Sequence, residues 1–96
     1  MKKFVMLSSL TDRGAKTIKV KPERIKEVNK EVEKMGGKII SQYAILGPFD
    51  FLTIISAPDE NTVAKISLEI SQRGSVKITT YPAIDVDDFI KSIKEN

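Results

Sequence analysis

An α+β domain in the order β-α-β-β-α-β is what this sequence predicts, and three observations carry the prediction. Apolar runs of strand length recur along the chain, the first at Phe4-Val5-Met6-Leu7. Two stretches with apolar residues at helical spacing separate the first run from the second and the third from the fourth. The second and third runs are parted only by Gly47-Pro48-Phe49, a break short enough to demand an antiparallel hairpin.

The elements follow in order. Strand one is Lys3 to Leu10. Thr11 and Asp12 then offer N-cap chemistry for a short helix or turn with Ala15 and Ile18 on its apolar side. Pro22 opens a longer helix at its first position, where a missing N–H costs nothing. Inside it Ile25, Val28, Val32 and Met35 form one buried stripe, and Gly36-Gly37 ends it. Strand two runs from Lys38 to about Leu46 and strand three from Asp50 to Ala57. The second main helix spans Asp59 to Arg73, with Val63, Ile66 and Ile70 as its stripe and Gly74 as its stop. Strand four is Ser75 to Tyr81, ended by Pro82. Asp85, Asp87 and Asp88 open a last short helix carrying Phe89, Ile90 and Ile93. This is a ferredoxin-like βαββαβ pattern: a four-stranded antiparallel sheet, both main helices on one face, and an extra short C-terminal helix.

At 96 residues, without a Pro/Gly/Ser-rich stretch or charge block to divide it, the chain reads as one domain over residues 1–96. A core this small gives marginal stability, which makes further burial by oligomerisation favourable. The chain contains neither cysteine nor histidine. Disulfides are therefore excluded, as are the usual protein ligands of zinc, copper, haem and iron–sulfur centres, and every Ser-His or Cys-His nucleophile pair. No cofactor or metal is expected, and acid–base chemistry would fall to Asp, Glu, Lys or Tyr with a shifted pKa. Met1-Lys2-Lys3 before an apolar run resembles the start of a signal peptide. The run is short, no small-residue cleavage site follows it, and a first strand in a cytoplasmic protein is the expectation. The net charge is a mild +3. Its densest basic stretch, Arg13 to Lys26, holds no aromatic stacking partner, so it reads as solvated surface and no nucleic-acid or membrane partner is expected.

The faces of the sheet carry the main functional hint. With Pro48-Phe49 as a two-residue turn, Leu46 pairs with Phe51 and Tyr43 with Ile54. One face then shows Ile39, Tyr43, Ile45, Leu52 and Ile54, and the other Ile40, Ala44, Leu46, Phe51 and Ile55. Strand one is apolar on both sides as well. A sheet with one wet face alternates apolar with polar, and this one does not. Two helices cover one face only, so a second copy of the chain is the expected cover for the other.

Several landmarks together resemble the GYD-domain family, which is similar to the dimeric α/β-barrel superfamily. They are Leu10-Thr11-Asp12-Arg13-Gly14, Lys21-Pro22-Glu23-Arg24, Gly36-Gly37-Lys38, Gly47-Pro48-Phe49-Asp50 and Ala57-Pro58-Asp59. In the element that names the family, Gly47 and Asp50 match with one extra residue between them, and Phe49 replaces the tyrosine. The resemblance implies a ferredoxin-like protomer packed sheet to sheet with a partner as a dimeric α/β barrel. It implies little about activity, since the wider superfamily includes cofactor-independent monooxygenases, isomerases, haem-binding proteins and ligand-sensing domains.

Tyr43, Asp50 and Tyr81 are the candidate ligand-binding residues. Asp50 at the hairpin suits a general base or a ligand's polar group, although Asp at a turn commonly binds backbone instead. In the two-residue register it lies four residues from the partner of Tyr43, roughly 13 Å along a strand, too far for a hydrogen-bonded pair. The two tyrosines, the only phenols, each suit a cavity wall, yet buried tyrosines more often pack and find a backbone acceptor. Asp85, Asp87 and Asp88 lack the glycine and glutamate of a calcium loop and suit a helix N-terminus. Gly36-Gly37 follows a helix rather than a strand and lacks a phosphate loop's lysine. An RNA-binding module of the same element order needs basic residues around its third-strand aromatics, and Phe49-Asp50-Phe51-Leu52 has none. The expected function is a homo-oligomeric small-molecule binding or regulatory module with a small apolar ligand. The alternative is a cofactor-independent monooxygenase or isomerase, which would need polar groups converging on a reacting atom.

Overall fold

Alternation along β1 (Lys2–Leu10) sends Phe4 and Met6 to one side, where both are buried, and Val5 and Leu7 to the other, where they are half-buried. That single strand sets the plan of the molecule. A computed structural model describes residues 1–95. After β1 come α1 (Asp12–Val20), α2 (Arg24–Lys34), β2 (Lys38–Ala44), β3 (Phe51–Ala57), α3 (Glu60–Ser71), β4 (Val76–Ala83) and α4 (Val86–Lys94). The strands form one antiparallel sheet in the order β2-β3-β1-β4, the ferredoxin-like arrangement expected. Phe4, Met6, Ile55 and Ala57 meet Val32 of α2 and Val63, Ile66 and Ile70 of α3 in the core. Ile55 and Ile66 are wholly buried, and burial of this kind contributes about 1.5–3 kcal/mol per side chain.

Two helices begin with side-chain caps. Thr11 accepts from the Gly14 amide at 3.2 Å, and Asp59 from the Thr62 amide at 2.8 Å. Gly14 is required for a different reason. A Cβ there would stand 2.0 Å from the Ser75 carbonyl oxygen, because the Thr11 amide also donates to that carbonyl at 3.0 Å and draws α1 onto the turn before β4. Helix α2 starts at Arg24, with Pro22 in the preceding turn rather than at the first helical position. Strand β4 continues through Pro82 to Ala83; an edge strand tolerates proline.

The hairpin differs from the two-residue turn. The last strand pair is Ala44 with Phe51, and the Ile45 amide donates to the Asp50 carbonyl at 2.8 Å across a longer loop with Gly47 at φ +112°. Strand β1 sets this length. The Asp50 amide donates to Ser8 O at 2.8 Å, the Asp50 carboxylate accepts from the Leu10 amide at 2.8 Å, and Ser9 Oγ donates to Pro48 O at 3.1 Å. Tyr43 therefore pairs with Leu52, not Ile54. A register shift between Ile39 and Ser41 corrects the faces further: Ile39 pairs with Ile55 and packs on the core, while Tyr43 stays opposite. Leu46, expected in a strand, is a loop residue 99% exposed.

Helix α4 buries none of its residues, and Val86, Phe89, Ile90 and Ile93 form an exposed apolar stripe along it. Asp85 ahead of the helix makes no side-chain cap and instead pairs with Lys3 at 2.9 Å. No described helix is long and apolar enough to cross a membrane.

Candidate functional site

The helix-free face of the sheet is a patterned surface. Antiparallel registration lines up two rows across all four strands: Ser41, Ile54, Val5 and Tyr81 in one, and Tyr43, Leu52, Leu7 and Thr79 in the next. Val5, Leu7, Leu52 and Ile54 form an apolar centre only half-buried among its own members. A tyrosine stands at each outer strand, Tyr43 on β2 with 58% of its surface exposed and Tyr81 on β4 with 52%. Beyond the rows, Lys3 and Lys38 flank Ser56 at one end, and Lys77 faces Ser9 at the other. The face therefore has an apolar centre, an amphipathic tyrosine at each margin and lysines at both ends.

A second feature lies on the opposite side of the sheet, under α1 and α2. It is a cavity of about 140 Å³ with a largely apolar wall. One patch of that wall is polar. Asn29 of α2 and Gln42 of β2 exchange two amide hydrogen bonds, at 2.7 and 3.1 Å, and the second Gln42 Nε2 proton goes to Thr53 Oγ1 at 3.1 Å. Arg24 and Arg73 border the cavity, and acids hold both. Arg24 pairs with Glu27 at 3.2 Å and Glu31 at 3.5 Å, while Arg73 pairs with Glu69 at 3.6 Å and, more closely, with Glu31. The hydrogen bond from Arg73 is the chief reason the Glu31 carboxyl lies below the usual carboxylate range, against an opposing desolvation; the same bond raises Arg73.

The three residues singled out in the sequence do not converge. Tyr43 and Tyr81 share the open face, but on opposite outer strands and in adjacent rows, roughly 16 Å apart. Asp50 is spent on the Leu10 amide, which makes it a clamp between hairpin and β1. None of the three borders the cavity. The polar patch that does border it, Asn29, Gln42 and Thr53, carries one sequence signal. Thr53 stands between Phe51 and Ile55 at a core-facing position of β3, where a polar side chain needs a buried partner.

The fold and the site together define a ferredoxin-like α+β domain with one sheet face left open. The family is shown directly. A family model described as GYD domain matches residues 4–93, and the chain belongs to the GYD-domain family. A similar protein from Thermus thermophilus, named glutamine synthetase and cystathionine beta-lyase binding protein, is 50% identical over 95 residues, which cover 98% of this chain and all of the relative. Among solved structures, TTHA0845 from Thermus thermophilus shares the fold with a TM-score of 0.58 at 14% identity, over 88% of this chain and 95% of that one.

Proposed function

We propose that this chain is a homo-oligomeric binding or regulatory module whose open sheet face is covered by a second copy of the chain. The observation that carries the reading is the pair of registered rows: Val5, Leu7, Leu52 and Ile54 present continuous apolar surface that no helix among the described residues covers. The half-identical relative, named for binding two metabolic enzymes, supports a protein partner for a member of this family. The tyrosines serve on this reading as contact residues at the margins of the patch, in the role large amphipathic rings commonly take at interfaces. An enzymatic reading has less support, because Tyr43, Tyr81 and Asp50 do not share a site.

The face projects roughly 19 Å across four strands and roughly 23 Å along seven residues, or about 440 Å² per protomer before side-chain relief is counted. A standard interface buries about 800 Å² per partner, so the face supplies the centre of such a contact and its rim must come from neighbouring elements. The test is sedimentation equilibrium of the intact chain at micromolar concentration, alone and with Leu52→Lys. Oligomers that become well-folded monomers in the variant are the expected result. Native protein that stays monomeric at that concentration would refute the proposal.

A further inference from the structure

We propose that the cavity between the sheet and α2 is a binding site for a small uncharged molecule, ring-shaped or branched, carrying a single hydrogen-bond acceptor that Thr53 recognises. This site is separate from the docking face, on the other side of the sheet, and does not depend on the reading of that face.

The size of the void points to a guest. The pocket is open on one side, with lining residues such as Ile25, Val28 and Phe51 only half-buried, and its roughly 140 Å³ leaves room for a small guest against the sheet. An apolar cavity of about 150 Å³ stays dry and accepts a benzene-sized guest, which sets the ligand at roughly six to eight non-hydrogen atoms. The walls suit such a guest. Met6, Val28, Ile39, Phe51, Ile55 and Ile78 offer hydrocarbon, sulfur and one aromatic ring.

The polar patch supplies the specificity. Both protons of Gln42 Nε2 are committed, one to Asn29 and one to Thr53, so the Thr53 oxygen receives rather than gives in that contact. A hydroxyl has one proton to donate as well as lone pairs to accept, and no hydrogen bond among the described residues accounts for the Thr53 proton. Thr53 is only 7% exposed, so bulk water reaches it poorly. A buried donor beside an apolar void is what a ligand carbonyl or ether oxygen satisfies.

Charge excludes the alternatives. The two arginines at the cavity face Glu27, Glu31 and Glu69, and a ligand carboxylate would have to break those ion pairs to use them. A ligand ammonium would meet the same arginines with no free acid at the polar patch. A neutral guest needs neither rearrangement.

The experiment is an amide-resolved NMR titration of the intact protein with cyclohexanone, set against cyclohexanecarboxylate and cyclohexylammonium as charged molecules of similar size. The expected result is saturable shifts centred on Met6, Gln42 and Thr53 with cyclohexanone, at a Kd on the order of 1 mM, ordinary for so few atoms. Both charged probes should bind at least roughly tenfold more weakly, since each carries an unpaired charge into an apolar site. Thr53→Val should weaken cyclohexanone about fivefold through loss of one hydrogen bond. Val28→Phe, which fills the void, should abolish binding while keeping a dispersed spectrum. Absence of saturable shifts at those residues, shifts centred instead on Val5, Leu7 and Tyr43, or equal binding of the carboxylate would each overturn the proposal. The unmodified protein decides the matter even if a variant fails to fold.

Discussion

Replacing Asn29 with leucine should destabilise the protein out of proportion to the atoms removed, and a second replacement should give part of the loss back. In the folded state Asn29 and Gln42 exchange bonds of 2.7 and 3.1 Å, and Gln42 passes a further bond of 3.1 Å to Thr53. Asn29→Leu leaves Gln42 Oε1 without a donor and one Nε2 proton without an acceptor, in a half-buried position. A stranded buried polar group costs about 1–3 kcal/mol, and partial access to water puts this site near the lower part of that range, about 2 kcal/mol for the pair of atoms. In a domain of this size about 2 kcal/mol lowers Tm by roughly 8–16 °C. Adding Gln42→Leu removes the stranded amide and leaves only Thr53 unmatched. The double variant should therefore lie within about 1 kcal/mol of the native protein, and the two substitutions should couple by about 1–2 kcal/mol. Urea unfolding followed by circular dichroism on the four members of the cycle measures this directly. Strictly additive losses would refute the reasoning, because they would mean that water already serves these amides.

Three further outcomes follow from features described above. Gly14→Ala should cost about 1–3 kcal/mol by overpacking, since its methyl group would stand 2.0 Å from the Ser75 carbonyl; unchanged thermal stability would mean that α1 lifts freely off the sheet. Glu31 is held below its ordinary value of 4.5, as are Glu27 and Glu60 through their hydrogen bonds from Lys21 and Lys2, so the folded chain binds fewer protons than the unfolded one. The resulting stability is complete above that value and is lost as pH falls through the folded-state pKa values; Tm should drop between about pH 5 and about pH 3, with a shallower slope in Glu31→Gln. Phe89→Ser with Ile93→Ser should leave Tm of dilute protein within about 2 °C, because those side chains are 53% and 59% exposed; a larger fall that grows with protein concentration would show the stripe covered by another copy.

How much of this was legible in the sequence depends on the range of the interaction involved. The strands, the two main helices and the terminal helix follow from local signals: the Thr11 and Asp59 caps, the Ile25-Val28-Val32 spacing, and the glycines after the two main helices. The hairpin register does not. It is set by the bonds that join Pro48 and Asp50 to Ser8, Ser9 and Leu10 of a strand about forty residues away, and nothing in Gly47-Pro48-Phe49-Asp50 itself announces them. The irregularity beside Ile40 is equally hidden, because Ile39-Ile40 reads as apolar on either face and only packing against Ile55 decides which one turns inward. For that reason Tyr43, Leu52 and Ile54 fall on one face as their spacing predicts, while Ile39, expected beside them, turns to the core and Ile45 and Leu46 leave the strand. The cavity was beyond reach altogether, since it depends on how α2 rests on the sheet.

The two outer strands are built in a way that limits how this molecule can meet another. On one side β4 carries Pro82, which offers no amide proton, together with Lys77; on the other, β2 begins at Lys38 and is kinked beside Ile40. Features of this kind blunt a sheet edge, so growth by adding a further strand is disfavoured on either side. A partner must then be read through side chains rather than through the backbone. Those side chains alternate with the ones that face the helices, Val5 and Leu7 with Phe4 and Met6, Leu52 and Ile54 with Thr53 and Ile55. Substitutions on the open face can therefore change what it contacts while leaving the core-facing neighbours in place.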